Sequence, residues 1–145
     1  MADAVPLLRV RGLARRYGDT PVFAGLDCDL AAGEVLALVG ESGVGKSTFL
    51  NCLAGLDRPD AGSVQLDGRS VTTLTEPESA ALRRDLLGFV FQAFHVLPQL
   101  DVRDNVALPL RLQGRGTLRE MHARAEALLD AVGLQRLARR RPREL

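Results

Sequence analysis

Val35-Leu36-Ala37-Leu38-Val39, followed at once by Gly40-Glu41-Ser42-Gly43-Val44-Gly45-Lys46-Ser47-Thr48, is the stretch on which the fold turns. The first part is a continuous apolar run, as expected of a strand buried on both faces. The second part fits the pattern G-x-x-x-x-G-K-[ST], with Thr48 just beyond it. Its glycines permit positive φ and let the backbone come close to a ligand. Successive N–H groups, those of Glu41, Ser42 and Val44 included, then turn inward as a nest for phosphate oxygens. A helix is expected from Ser47 to Leu56, ended by Asp57-Arg58-Pro59, and it aims its positive end at the same point. Lys46 brings a mobile charge for the β- and γ-phosphates. Ser47 brings a hydroxyl for Mg²⁺, and Thr48 a hydrogen bond on the α-phosphate side. Strand, glycine loop and helix in this order imply a site for a nucleoside triphosphate.

Composition narrows the setting. The 145 residues are 46% hydrophobic, enough for a core, and carry a net charge of +1. So small a charge implies no strong pull toward nucleic acid or anionic lipid. Both apolar runs, residues 35–39 and 89–91 with their neighbours, fall far short of the ~20 residues a membrane helix needs. A membrane role is therefore expected only through a partner. Cys28 and Cys52 lack metal-like spacing and read as two reduced, buried thiols of a cytosolic protein. Every basic residue but one is arginine; the single lysine, Lys46, lies inside the glycine loop.

Outward from the loop, Leu7 to Val10 and Pro21 to Leu30 read as strands around a turn at Tyr17-Gly18-Asp19. Ser63 to Leu66 precedes the turn Asp67-Gly68. Thr75-Glu76-Pro77-Glu78 and Thr117-Leu118-Arg119-Glu120 both have capping-box spacing. The first opens a short helix to Leu86. The second opens a helix whose expected apolar face is Leu118, Met121, Ala125, Leu128 and Val132, ending at Gly133. Leu87 to Phe91 reads as a second buried strand, and Asp101 as the cap of a short helix to Pro109. His95 and His122 read as surface or structural, and the basic cluster Arg139-Arg140-Arg141 with Arg143 as a solvated helix end.

The loop together with Phe49-Leu50-Asn51-Cys52-Leu53-Ala54-Gly55-Leu56 resembles the phosphate loop and helix of ABC ATPases. Arg83-Arg84-Asp85-Leu86-Leu87-Gly88-Phe89-Val90-Phe91-Gln92 resembles the approach to their Q-loop. Leu97-Pro98, Asp104-Asn105-Val106, Leu108-Pro109-Leu110, Ala131-Val132-Gly133-Leu134 and Arg141-Pro142-Arg143-Glu144-Leu145 are similar to the branch serving lipoprotein release and macrolide export. The resemblance covers nearly the whole chain. Val44, where a serine is common, and Phe49, where a leucine is common, depart from it without removing a phosphate-binding N–H.

The resemblance implies an α/β fold: a P-loop NTPase (RecA-like) core with an N-terminal antiparallel β-subdomain over residues 1–92, then the start of a helical subdomain over residues 93–145. It implies ATP and Mg²⁺ as ligands. Tyr17 would stack on adenine, and Gln92 would reach Mg²⁺ and the attacking water and link the ATP state to a transmembrane permease. Phe94, Leu97, Pro98 and Leu100 would form part of the surface that receives the permease, if they are not part of the domain's own core. Two such ATPase subunits would sandwich two ATP molecules, peripheral on the inner face of the cell membrane, with no nucleic acid involved. Leu145 aligns with the first residue of the family's Leu-Ser-Gly-Gly-Gln-type motif. That motif, the Mg²⁺-binding aspartate, the catalytic glutamate and the switch histidine are expected beyond it. The 145 residues therefore carry no catalytic residue of their own, and the chain by itself is expected not to turn over ATP. The alternative is a non-catalytic ATP-binding fragment that acts by pairing with another ATPase subunit. A second alternative is another P-loop protein, such as a GTPase or small-molecule kinase; a GTPase should show Asn-Lys-x-Asp for guanine, which these residues lack because Lys46 is their only lysine.

Overall fold

The computed structural model describes residues 6–91, 95–114 and 116–145. The chain divides into two compact units, Met1–Arg83 and Arg84–Leu145. The first is built on an antiparallel sheet of order β2-β1-β3-β4, where β1 is Leu8–Tyr17, β2 Thr20–Leu30, β3 Ala61–Leu66 and β4 Arg69–Ser70. The central strand, β1, runs well past the Val10 expected as its end. It pairs with β2 on one side and β3 on the other. Leu8 and Val10 lie on the buried face two residues apart, as a strand requires. A register shift at Gly12, which has φ 57, adds a residue and returns Leu13 to that face. Val64 and Leu66 of β3 close the same core. Asp67 and Gly68 join β3 to β4 with φ 49 and 72, the paired left-handed geometry that favours Asp-Gly in a two-residue hairpin.

Two helices accompany the sheet, α1 at Lys46–Leu53 and α2 at Glu76–Leu86. α1 buries Phe49 and Cys52 and stops three residues short of Leu56. Half of the capping expectation at α2 is met: Thr75 N–H donates to Glu78 Oε2 at 2.8 Å, while Thr75 Oγ1 donates to the same oxygen at 2.6 Å. These two bonds hold the Glu78 carboxyl below the usual range, the hydroxyl contributing most.

Two expected strands are absent. Residues 35–39 join no ladder among the described residues, and Val35 and Val39 are 94% and 92% exposed. Residues 87–91 likewise carry no strand pairing; Val90 is fully exposed, and the Phe89 and Phe91 rings stack on each other at 5.2 Å. Apolar sequence supplies the tendency to extend. A strand also needs a neighbour to take its N–H and C=O groups, and the described strands pair only among themselves.

The second unit holds α3 (Val102–Gln113) and α4 (Leu118–Ala131). Asp101 caps α3 as expected, accepting from Asp104 N–H at 2.7 Å. The helix does not stop at Pro109 but runs through it to a left-handed Gly114. Packing sustains it there: Ala107 is buried with Met121 and Ala125 of α4, and Val106 and Leu110 lie against them. The N–H groups of Val102 and Arg103 in its first turn donate to Arg140 O and Ala138 O, both at 2.9 Å. α4 has the full Thr117–Glu120 capping box and ends before Gly133, which has φ 73. Its buried seam is Met121, Ala125 and Leu129; Leu118, Leu128 and Val132, expected inward, are exposed. The small Ala107 and Ala125 allow close approach along an i, i+4 row, and that row excludes the other three. His122 Nε2 meets Asp104 Oδ1 at 2.7 Å, bridging the two helices, in keeping with a structural role. Among the described residues, no helix is long and apolar enough to cross a membrane.

Candidate functional site

The glycine loop leads directly into α1. Gly43 and Gly45 have φ 82 and 103, which side chains with a Cβ rarely adopt. The first helical bond runs from Phe49 N–H to Gly45 O at 2.9 Å. The N–H groups of Lys46, Ser47 and Thr48 precede that bond, so they point out of the helix end. No side chain caps this end, and no acidic residue stands in its first turn. Most helices spend a Ser, Thr, Asp or Asn there; here the positive end of the helix stays available. Lys46 folds its ammonium over the loop and donates to Gly40 O at 2.8 Å and Glu41 O at 2.6 Å. Cation, dipole and free N–H groups thus gather at one point, an arrangement that fits a phosphate chain. The Ser47 hydroxyl, in the first turn, fits a Mg²⁺ ligand beside such phosphates.

Gly45 has a second reason to be glycine. A Cβ there would lie 2.5 Å from Val22 Cγ1. In the β1–β2 ladder Arg15 faces Phe23 and Arg16 faces Pro21, which leaves Val22 as the extra residue of a bulge. Bulges re-aim side chains, and this one aims Val22 at the loop. Phe23 adds an edge-on contact with Phe49, with ring centroids 5.7 Å apart. The hairpin therefore fastens the phosphate loop at its helix end. By strand geometry, the end of β1 lies one strand over and a residue or two along from Val22, roughly 6–8 Å from it.

Tyr17 occupies that end of β1, half exposed. Its hydroxyl donates to Asp57 Oδ2 at 2.8 Å, and the Arg15 guanidinium lies 4.7 Å from its ring centre. Arg15 in turn donates to Asp57 Oδ1 at 2.8 Å and to Asp60 Oδ2 at 3.3 Å. Asp60 accepts the Arg16 N–H at 2.7 Å and donates its own N–H to Ala14 O at 2.9 Å. The Arg16 N–H and then Arg15 hold the Asp60 carboxyl below its ordinary range. This network was not foreseen. Asp57 entered the sequence reading only as part of a helix terminator, and no local signal links it to a residue 40 positions away.

Gln92 and Phe94 lie outside the described residues. The structure thus brings together the loop residues and, through Val22, the strand that carries Tyr17. Beside the loop is an apolar groove of about 410 Å³, lined by Val22, Phe23, Leu26, Leu36, Leu38 and Phe49 among others. Asp27 and Lys46 also line it. Both cysteines are free thiols: Cys52 is buried, which pushes its pKa up to about 11, while Cys28 is only partly covered.

Comparison with known proteins matches residues 23–145 to the ABC transporter family. The methionine import ATP-binding protein MetN of Mesorhizobium japonicum is 45% identical over 139 residues, covering 96% of this chain and 38% of its own. The lipoprotein-releasing system ATP-binding protein LolD 2 of Caulobacter vibrioides is 42% identical over 144 residues, covering 97% and 63%. The macrolide export ATP-binding/permease protein MacB of Marinobacter nauticus is also 42% identical, covering 97% and 22%. A dimeric structure of the bacterial ABC transporter cassette MJ0796 superposes with a TM-score of 0.88 at 33% identity, over 95% of this chain and 62% of that one. A post-hydrolysis state of the same cassette, bound to ADP and Pi, superposes with a TM-score of 0.87. This chain spans less than two thirds of the length of each of these relatives.

Proposed function

This chain belongs to the ABC transporter family, and on that premise we propose that it is the ATP-binding front of a transport ATPase. Residues 1–92 carry the nucleotide groups, and residues 93–145 begin the helical subdomain. Lys46 and the N–H groups of the loop hold the β- and γ-phosphates, Thr48 the α-phosphate side, and Tyr17 the adenine. Ser47 and Gln92 hold Mg²⁺, which when bound neutralises charge on the phosphates. The observation that carries this reading is the uncapped start of α1, with Lys46 folded over the loop carbonyls.

The partner proposed is a transmembrane permease, with two ATPase subunits facing each other on the inner face of the membrane. MJ0796 forms a dimer, which supports the pairing. Relatives named for methionine import, lipoprotein release and macrolide export share 42–45% identity with this chain.

Melting of the chain with and without Mg²⁺ and ATP tests the binding. A ligand at about 100 times its Kd adds roughly 2.7 kcal/mol to the folded state, so the midpoint should rise by several degrees. An unchanged midpoint at millimolar ATP would overturn the reading.

A further inference from the structure

We propose that Asp57 and Arg15 are positioning residues for the nucleobase: together they lock the Tyr17 ring in one orientation and leave one face of it for adenine. The proposal rests on the reading of Tyr17 as the adenine platform. A ring at a strand end next to a Gly-Asp turn would ordinarily turn freely about χ1 and χ2. Here its hydroxyl is tied to Asp57 Oδ2 at 2.8 Å. Its ring has a guanidinium 4.7 Å from its centre, within the range in which a cation is held by the ring face.

Neither partner is itself loose. Asp57 takes two bonds from Arg15, at 2.8 and 3.2 Å, a two-point contact that fixes a plane as well as a distance. The Arg15 side chain is only 19% exposed and reaches Asp60 as well. Asp60 is anchored to the backbone of Arg16 and Ala14. The chain of contacts runs from the turn after α1 to the ring, so the segment that follows the phosphate-loop helix also sets the platform for the base. With Arg15 on one face, the base stacks on the other. Pre-orienting the ring removes the entropy of ordering it on binding. The effect belongs to the adenine, because none of these residues lies in the phosphate loop.

The composition provides a probe. Tyr17 is the only tyrosine and there is no tryptophan, so intrinsic emission reports this one ring. A carboxylate that accepts the phenol proton quenches that emission, and a stacked purine quenches it further. The experiment titrates the 145-residue chain with Mg²⁺-ATP and, separately, with Mg²⁺-tripolyphosphate, by emission and by calorimetry. It uses the wild type, Asp57→Ala, Asp57→Asn and Tyr17→Phe. Asp57→Ala should brighten the free protein and weaken ATP by roughly 3–10-fold, the weight of one hydrogen bond. Tripolyphosphate binding should not change. Asp57→Asn, which keeps an acceptor for the phenol, should recover most of the ATP affinity. Tyr17→Phe, which leaves the Asp57–Arg15 pair intact, should weaken ATP alone by a similar factor by calorimetry, and it carries the test should Asp57→Ala unfold.

ATP that quenches Tyr17 but binds equally well to the wild type, Asp57→Ala and Tyr17→Phe would overturn the positioning role while leaving Tyr17 at the base. ATP that binds calorimetrically without any change in Tyr17 emission would overturn the platform reading, and the proposal with it. Equal weakening of ATP and tripolyphosphate would place the effect in the phosphate loop and contradict the proposal.

Discussion

β1 and residues 35–39 lie in the same unit and carry similar apolar side chains, yet one is packed and the other bare. Leu8, Val10 and Leu13 of β1 are buried between two strands that take its backbone groups. Val35 and Val39 stand almost wholly in solvent, and Leu36 and Leu38 line an open groove. The difference lies in the neighbours. Hydrophobic sequence sets how much a segment gains from burial, while pairing decides whether the gain is collected.

The sharpest way to break this comparison is to truncate one side chain on each side of it. Leu13→Ala removes a fully buried side chain and is expected to cost about 2–5 kcal/mol. Val39→Ala should stay within about 0.5 kcal/mol. Urea unfolding of both variants measures the contrast, and equal losses would mean that residues 35–39 are packed in solution. Gly45→Ala comes next. It strains a left-handed φ and drives a methyl into Val22, so about 1–3 kcal/mol of stability should go, together with much of the ATP affinity. A neutral result would show that the hairpin does not fasten the loop.

The same contrast exists within α4. Thr117→Ala removes the cap that holds Glu120 and should cost about 1 kcal/mol. Leu128→Ala, on the exposed flank, should change stability by under about 0.5 kcal/mol. Both can be read from thermal melts.

The smallest effect is chemical. Only the thiolate is alkylated. With its pKa raised to about 11, Cys52 is a neutral thiol at pH 8, and its reaction should rise only as the pH approaches that value. Cys28 is also shifted upward by burial, but it lines the open groove, so it should be alkylated first. Mass spectrometry of a timed iodoacetamide reaction distinguishes the two. Equal rates would mean that the core around Cys52 opens as readily as the groove.

What was legible in the sequence was whatever is decided within a few residues. The Thr117–Glu120 box, the Thr75–Glu78 pair, the Asp101 cap, the Asp67-Gly68 turn and the glycine loop into α1 all follow from chemistry at spacings of one to five. What was not legible depends on distant partners. The bulge that turns Val22 onto Gly45, and the Asp57 that holds Tyr17, join segments far apart in the chain. The seam of α4 went to Leu129 instead of Leu128 because Ala107 on another helix set the row. Residues 35–39 and 87–91 read as buried strands because an apolar run states a demand without naming what meets it.

The central claim is that residues 40–48 bind the phosphates of ATP and that Lys46 is their principal charge. Calorimetric titration of Mg²⁺-ATP into the wild type and into Lys46→Ala tests it most directly. The account predicts saturable one-to-one binding by the wild type and a loss of at least about tenfold in Lys46→Ala, the scale of about 1.4 kcal/mol or more expected when a charge-assisted contact to phosphate is removed. Equal affinity in the two proteins, or no binding by a folded wild type, would contradict it.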